Sequence, residues 1–257
     1  MLKLDVYESG GEKLADLFIE YREVPVEDGS KMRVYYARPA TASRRCSLLL
    51  FQEAFGVNEH IRDVAQRLAR EGYVVAAPEL FHRTAPSFEG SYTDMRPAMP
   101  HIQALTEQRL EQDIRAAYQL LEGDSAADVE KIASIGFCIG GRVSFLANSI
   151  LPLAAAVSFY GGGIAPGARG AGLLNRAPKL TGPSLFFWGG HDQHIKPEDT
   201  QSVAGALRSA KKPFVNVEFS DADHGFFCNS RAAYHPDAAA EAWALTLEFL
   251  RRHLGTL

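Results

Sequence analysis

The chain alternates two kinds of hydrophobic pattern from about residue 47 onward. Short, continuously apolar segments are typical of buried parallel strands, and longer segments with apolar residues every three or four positions are typical of amphipathic helices. The pattern predicts strands at 47–51, 74–77, 131–135, 154–159, 184–188 and 214–219, and helices at 58–71, 101–121, 142–150, 197–210 and 238–253. Repeated β-α units of this kind predict an α/β fold with a mostly parallel central sheet and helices on both faces.

The N-terminal part of the chain has a different pattern. Residues 22–26 and 32–36 flank the polar segment 27–31, which predicts an antiparallel hairpin at the edge of the sheet, where Pro25 is tolerated. No linker rich in Pro, Ser or Gly divides the rest of the chain. We therefore expect an N-terminal extension over residues 1–20 and a single domain over residues 21–257.

Composition narrows the class of protein. The 257 residues are 46% hydrophobic and 23% charged, as in ordinary globular proteins, and the net charge of −4 with scattered basic residues argues against nucleic-acid or membrane partners. No run approaches the roughly 18 apolar residues of a membrane span, and the first eight residues lack a signal-peptide core. Three cysteines without metal-type spacing predict a cytoplasmic protein whose thiols stay reduced. Nothing in the pattern indicates an oligomeric state.

One short motif points to covalent chemistry. Gly136-Phe137-Cys138-Ile139-Gly140 lies between a predicted strand and a predicted helix, with glycines two residues before and after a cysteine. A sharp strand-to-helix turn needs these glycines, and hydrolases use the related G-x-S-x-G motif to expose a serine. The motif predicts Cys138 as a nucleophile and the N–H of Ile139 as an oxyanion donor. The alternative is a small, buried hydrophobic cysteine.

Two further residues follow predicted strands. Asp192 comes after the strand at 184–188, and His224 comes after the strand at 214–219. Ligands of parallel sheets bind at the carboxyl ends of the strands, and the order nucleophile, acid, histidine is that of the α/β-hydrolase topology. We expect His224 to act as general base, with Asp192 fixing its tautomer. Alternatively, Asp221 or Asp223 orients His224, and Asp192 caps a helix.

His191 and His194 flank Asp192 in the same predicted loop. Two histidines around an aspartate can indicate a metal site, but no third ligand follows at a useful spacing. Exposed loop residues are therefore the favoured interpretation. No metal and no organic cofactor are expected.

Several segments together resemble one known family. The cysteine motif, extended to Gly141, is similar to that of the dienelactone hydrolase (carboxymethylenebutenolidase) family, and so are segments 51–58, 78–83 and 189–192. The similarity covers about residues 24–250. It implies an α/β-hydrolase fold and hydrolysis of an enol-lactone or small activated ester through an acyl-enzyme intermediate. The alternatives are a general esterase or thioesterase and a non-catalytic binding protein.

The resemblance also implies roles for residues outside the triad. Glu53 would hold the resting thiol and help to generate the thiolate, and the N–H of Ala54 would be the second oxyanion donor. Arg83 would bind a substrate carboxylate. The alternatives are that Glu53 caps the helix beginning near Asn58 and that Arg83 forms a surface ion pair.

The segment after His224 departs from the family pattern. Residues 225–228 read Gly-Phe-Phe-Cys, where the family has a serine and then a second carboxylate-binding arginine. Arg231 lies close by in sequence and is a candidate substitute. Tyr160 matches an aromatic position of the substrate pocket, and simple packing is the alternative role.

Overall fold

The computed structural model describes residues 12–14, 16–41, 43–167 and 170–255. These residues form two units. One comprises the described residues up to Leu50 together with Phe55–Val129, and the other comprises Phe51–Ala54 together with the described residues from Glu130 onward. Residues 1–11, most of the predicted extension, lie outside the described residues.

The first unit combines antiparallel and parallel strand pairs. Its strands lie in the order β1-β2-β3-β5-β4, with β1, β2, β3 and β5 paired antiparallel and β5 paired parallel with β4. The elements are β1 (Glu12–Leu14), β2 (Leu17–Pro25), β3 (Lys31–Pro39), β4 (Arg45–Phe51), α1 (Glu59–Arg70), β5 (Val74–Pro78), α2 (Met99–Gln103) and α3 (Glu107–Glu122). The predicted antiparallel strands at the N-terminal edge are confirmed.

The second unit is built on parallel strands in the order β6-β7-β8-β9. Its elements are β6 (Ala127–Phe137), α4 (Ile139–Ile150), β7 (Ala155–Phe159), a 3₁₀ helix (Leu174–Lys179), β8 (Ser184–Gly189), α5 (Pro197–Ser209), β9 (Phe214–Phe219) and α6 (Pro236–Leu254). Register pairs Phe137 with Phe159 and Phe159 with Phe187, so the carboxyl ends of these strands meet at one edge. The predicted α/β class is confirmed. No helix of the described segments is long and apolar enough to span a bilayer.

Strand β2 begins earlier than the sequence pattern predicts. It pairs with β3 from Leu17 to Pro25, so the predicted domain boundary at residue 20 falls inside a strand. The polar residues on β2 are accommodated through Arg22, which donates to Asp124 at 2.6 Å and lies 3.6 Å above the Tyr36 ring. The part that the prediction omits, Leu17–Tyr21, pairs with Tyr35–Pro39, and the local pattern does not show that pairing.

The single helix predicted at 101–121 is wrong. The structure has two helices there, α2 and α3, and Thr106 separates them with extended backbone (φ −83°, ψ 156°). The Thr106 hydroxyl accepts a hydrogen bond from the N–H of Arg109 at 3.3 Å, which satisfies one of the open donors at the start of α3.

We expect Thr106→Ala to lower the free energy of unfolding by about 1 kcal/mol, because the N-cap of α3 is lost. Thr106→Ser keeps the hydroxyl and should stay close to the unchanged protein. Urea unfolding of all three measures the effect, and equal losses in the two variants would contradict the assignment of the cap.

Candidate active site

Cys138 lies at the turn from β6 into α4 with left-handed backbone (φ 56°, ψ −116°). This conformation is costly for a residue with a side chain and persists only where the surroundings enforce it. Two hydrogen bonds do so: the N–H of Cys138 donates to Phe159 O, and the N–H of Gly141 donates to Cys138 O, both at 3.0 Å. The strand-turn-helix arrangement predicted around Cys138 is present.

The glycines of the turn are required by close backbone contacts. A Cβ on Gly136 would lie 1.9 Å from the carbonyl oxygen of Gly140, and a Cβ on Gly140 would lie 2.3 Å from that of Phe51 and 2.5 Å from that of Gln52. These neighbours are backbone atoms, which cannot rotate away. The turn and the end of β4 therefore fit together only with glycine at both positions.

The three residues of the predicted triad come together in the second unit. The Cys138 Sγ lies 3.1 Å from His224 Nε2, and His224 Nδ1 lies 2.7 Å from Asp192 Oδ2. All three side chains are buried. This is the geometry in which a histidine can exchange a proton with a thiol while a carboxylate fixes its orientation.

Asp192, and neither of the two alternatives, contacts the His224 ring. Its second oxygen, Oδ1, accepts hydrogen bonds from the backbone N–H groups of His194 at 2.7 Å and Ile195 at 3.1 Å. Asp223 instead accepts from the backbone N–H of His224 at 2.6 Å. Asp221 lies 3.3 Å from His235.

His194 is a neighbour of the triad that the sequence reasoning did not identify. Its exposed side chain presents an edge-on ring to His224, with centroids 5.2 Å apart and an interplanar angle of 85°. The sequence feature that could have identified it is its position two residues after Asp192, whose carboxylate accepts a hydrogen bond from the backbone N–H of His194.

The triad carries opposite charges in close contact. Burial by itself would lower the pKa of His224, but the negative charge on Cys138 and the hydrogen bond to Asp192 raise it to about 10. Burial would raise the pKa of Asp192, yet the hydrogen bond from His224 and those from the loop lower it. These contacts therefore favour the charged form of His224, which lies between Cys138 and Asp192.

Glu53 and Arg231 form a second charged pair in the same unit. Glu53 Oε1 accepts from Arg231 Nη1 at 3.2 Å, and the Glu53 side chain is fully buried. The Arg231 guanidinium lies over Gly225, where a Cβ would come within 2.2 Å of Nη1. Burial would lower the pKa of Arg231, but the charge of Glu53 raises it. The N-cap of α1 is Asn58, so Glu53 does not cap that helix. The role of Glu53 in holding the resting thiol stays a prediction.

Tyr160 begins the loop after β7 and lies beside the triad. Its ring centroid is 5.1 Å from that of His224, and its backbone φ is +38°. The hydroxyl is buried without a hydrogen-bond partner among the described residues. Burial and then the charge of Glu53 raise the pKa of the phenol well above its usual value, so it stays a hydrogen-bond donor.

One predicted oxyanion donor, Ile139, lies within the glycine turn, and the other, Ala54, lies in the segment packed against it. Ile139 is the first residue of α4, where backbone N–H groups have no acceptor within the helix. Ala54 ends the segment Phe51–Ala54, whose first two carbonyl oxygens pack against Gly140. Their oxyanion roles stay predictions.

Arg83 lies in the first unit and is engaged by carboxylates there. Its Nε donates to Asp28 at 2.6 Å, and its Nη1 donates to Asp113 at 2.9 Å. The structure thus shows the ion-pair arrangement that the sequence left as the alternative. Binding of a substrate by Arg83 stays a prediction.

A family model described as "Dienelactone hydrolase family" matches residues 32–254. The chain belongs to the dienelactone hydrolase family. A Synechocystis sp. protein named "Putative carboxymethylenebutenolidase" is 34% identical over 224 residues, which cover 86% of this chain and 91% of the relative. One of the same name from Escherichia coli K12 is 32% identical over 239 residues, covering 88% and 84%.

Solved structures agree with the dienelactone hydrolase family. A "Putative Dienelactone Hydrolase" from Klebsiella pneumoniae has a TM-score of 0.83 at 28% identity, covering 92% of this chain and 99% of its own. A "Dienelactone Hydrolase-like Promiscuous Phospotriesterase" from metagenomic libraries has a TM-score of 0.79 at 22% identity, covering 94% and 100%, and shows the fold alone. The predicted α/β-hydrolase fold and hydrolase class are confirmed.

We expect Gly140→Ala in this dienelactone hydrolase family member to lower the free energy of unfolding by about 1–3 kcal/mol, because the new Cβ overlaps backbone oxygens. The matched control is Gly205→Ala in α5, where a Cβ meets nothing within 4 Å. That variant should be stabilised by about 1 kcal/mol through helix propensity. Urea unfolding measures both, and a neutral Gly140→Ala would contradict the close contact.

Cys138→Ala should lower the pKa of His224, because it removes the negative charge that opposes the effect of burial. NMR titration of ring-labelled histidine measures the shift. Cys46→Ala, which removes a buried thiol from β4, is the control and should leave the titration unchanged. An unaltered His224 pKa in Cys138→Ala would show that the thiolate does not raise it.

Proposed function

We propose that this chain hydrolyses an enol-lactone or a small activated ester, with Cys138 as the nucleophile. The observation that carries the proposal is the continuous contact from the thiol to His224 (3.1 Å) and from His224 to Asp192 (2.7 Å). Membership of the dienelactone hydrolase family supports the class of reaction.

The first half of the reaction is attack by the thiolate of Cys138 on the carbonyl carbon of the substrate. The carbonyl oxygen becomes an oxyanion, for which the N–H groups of Ile139 and Ala54 are the proposed donors. When the intermediate collapses, the bond to the leaving oxygen breaks and His224 Nε2 gives that oxygen its proton. The acyl group is left on Cys138 as a thioester.

The second half of the reaction regenerates the thiol. His224, now neutral, takes a proton from a water molecule, and the resulting hydroxide attacks the thioester carbonyl. Collapse expels the sulfur of Cys138 and releases the carboxylic acid. Asp192 stabilises the imidazolium that gives up its proton in the first half-reaction and forms again in the second.

The leaving group explains why lactones and activated esters suit this site better than amides. A thiolate is a good leaving group, so a tetrahedral intermediate on Cys138 reverts to substrate unless the departing oxygen leaves readily. An enolate or an aryl oxide meets that requirement, whereas an amine must first be protonated. The relatives' name, carboxymethylenebutenolidase, denotes hydrolysis of a lactone of this kind.

Mass spectrometry of the intact protein and of its peptides, after rapid mixing with enol-lactones and aryl esters, tests the proposal. We expect an acyl adduct on Cys138 and none on Cys46 or Cys228, which are also buried. Cys138→Ala should lose turnover, and His224→Asn should lower kcat/KM by about 10²- to 10⁴-fold. Cys46→Ala is the matched control and should keep its activity.

Two results would contradict the proposal. One is equal labelling of the three cysteines, which would remove the special status of Cys138. The other is turnover by Cys138→Ala at the rate of the unchanged protein. A clear preference for aryl esters over every lactone would keep the nucleophile but reject the lactone as the substrate.

A further inference from the structure

Gly225, the residue after His224, lies directly under the guanidinium of Arg231. Its backbone has a φ of +86°, and a Cβ at this position would lie 2.2 Å from Nη1, 2.4 Å from Cζ and 2.7 Å from Nε of Arg231. All three distances are shorter than the 3.0 Å that packed atoms allow. The guanidinium therefore occupies the space that a side chain at position 225 would need.

Two consecutive turns bring Arg231 back to Gly225. The N–H of Cys228 donates to the carbonyl oxygen of Gly225 at 3.0 Å, and the N–H of Arg231 donates to that of Cys228 at 3.1 Å. The contact between the glycine and the guanidinium thus follows from the local path of the chain and does not depend on distant elements.

The guanidinium that lies over Gly225 contacts the buried carboxylate of Glu53. Nη1 of Arg231, the atom closest to the absent Cβ, is also the atom that donates to Glu53 Oε1, at 3.2 Å. The second oxygen, Oε2, has no hydrogen-bond partner among the described residues. Because the Glu53 side chain is fully buried, its contact with Arg231 compensates a charge that would be costly alone.

The charge of Arg231 also acts on the nucleophile. Burial would lower the pKa of Arg231, but the charges of Glu53, Tyr160 and Cys138 raise it. Interactions between charges are mutual, so the guanidinium favours the thiolate form of Cys138 in return. The place of the guanidinium therefore affects both the buried carboxylate and the reactive thiol.

Gly225 and Arg231 together account for the departure of this segment from the family pattern. The family has a serine where this chain has Gly225, and its arginine falls within residues 225–228. A serine at position 225 would place its Cβ where the guanidinium of Arg231 lies. The loss of the side chain and the later position of the arginine are therefore two parts of one change.

We infer that Gly225 is a positioning residue, whose lack of a side chain holds the guanidinium of Arg231 against Glu53 and beside the nucleophile. The inference rests on the proposed function, because the effect of Gly225 on catalysis acts through Cys138. A Cβ at position 225 would displace the flexible guanidinium rather than the backbone, so the site would lose its ion pair while the chain still folds.

Gly225→Ala and Gly29→Ala form the matched pair that tests the inference. Gly29 has nearly the same φ, +85°, but a Cβ there meets nothing within 4 Å, so this control introduces the backbone strain alone. The rate at which Cys138 is alkylated by iodoacetamide is measured against pH by peptide mass spectrometry, since only the thiolate reacts. His224, Glu53 and the other titratable groups of the site are the same in both variants.

We expect the midpoint of the alkylation profile to rise by about one pH unit in Gly225→Ala, because the cation that favours the thiolate is displaced. Gly29→Ala should leave it unchanged. An unchanged midpoint in Gly225→Ala would overturn the inference. If Gly225→Ala does not fold, Gly225→Asn takes its place, because asparagine tolerates left-handed backbone and still carries a Cβ.

Removal of the guanidinium separates its displacement from a direct effect of position 225 on the neighbouring His224. In an Arg231→Ala background the Cβ has room, so Gly225→Ala should change the alkylation rate and kcat/KM by less than about 2-fold. In the unchanged chain it should lower both by about 10-fold below the midpoint. Equal losses in the two backgrounds would overturn the inference.

The outcomes also separate this inference from the proposed function, because alkylation needs no turnover. A shifted alkylation profile without turnover of any lactone or ester would reject the proposed function and support the positioning of Arg231 by Gly225. Turnover through Cys138 with an unshifted profile would reject only the inference.

Discussion

The close approach of the turn at Cys138 to the end of β4 is the constraint on which the site depends. Only glycine at position 140 allows the backbone to come this near to the carbonyl oxygens of Phe51 and Gln52. The same contact fixes where the chain continues after Gln52, and therefore where Glu53 is placed. One steric fit thus positions both the turn that carries Cys138 and the origin of the buried ion pair.

Electrostatic interactions determine the charge states of the buried residues. Burial alone would favour neutral side chains at His224, Asp192 and Arg231, yet each is charged because an opposite charge lies in contact. A charged His224 ring would interact favourably with Cys138 on one side and with Asp192 on the other, so removal of His224 would leave the buried Asp192 carboxylate without its main partner. A charged histidine beside a thiol favours the thiolate, which is the state that the proposed nucleophile needs.

The sequence predicts the parts of this molecule that depend on local pattern. Apolar strand segments followed by Cys138, Asp192 and His224 were enough to predict the parallel strands and to bring the three side chains to one edge. The hydroxyl of Thr106 is a weak local signal within an otherwise continuous helical pattern. The sequence therefore does not predict the break between α2 and α3. The start of β2 is not predicted because Leu17–Tyr21 become strand through pairing with the far end of β3, which no local pattern shows.

Arg83 shows a limit of a different kind. Its motif position suggests a carboxylate-binding arginine, but its partners Asp28 and Asp113 lie 55 and 30 positions away and have no local signature. Residue type specifies that a cation is present, whereas tertiary partners decide whether its charge is available to a ligand.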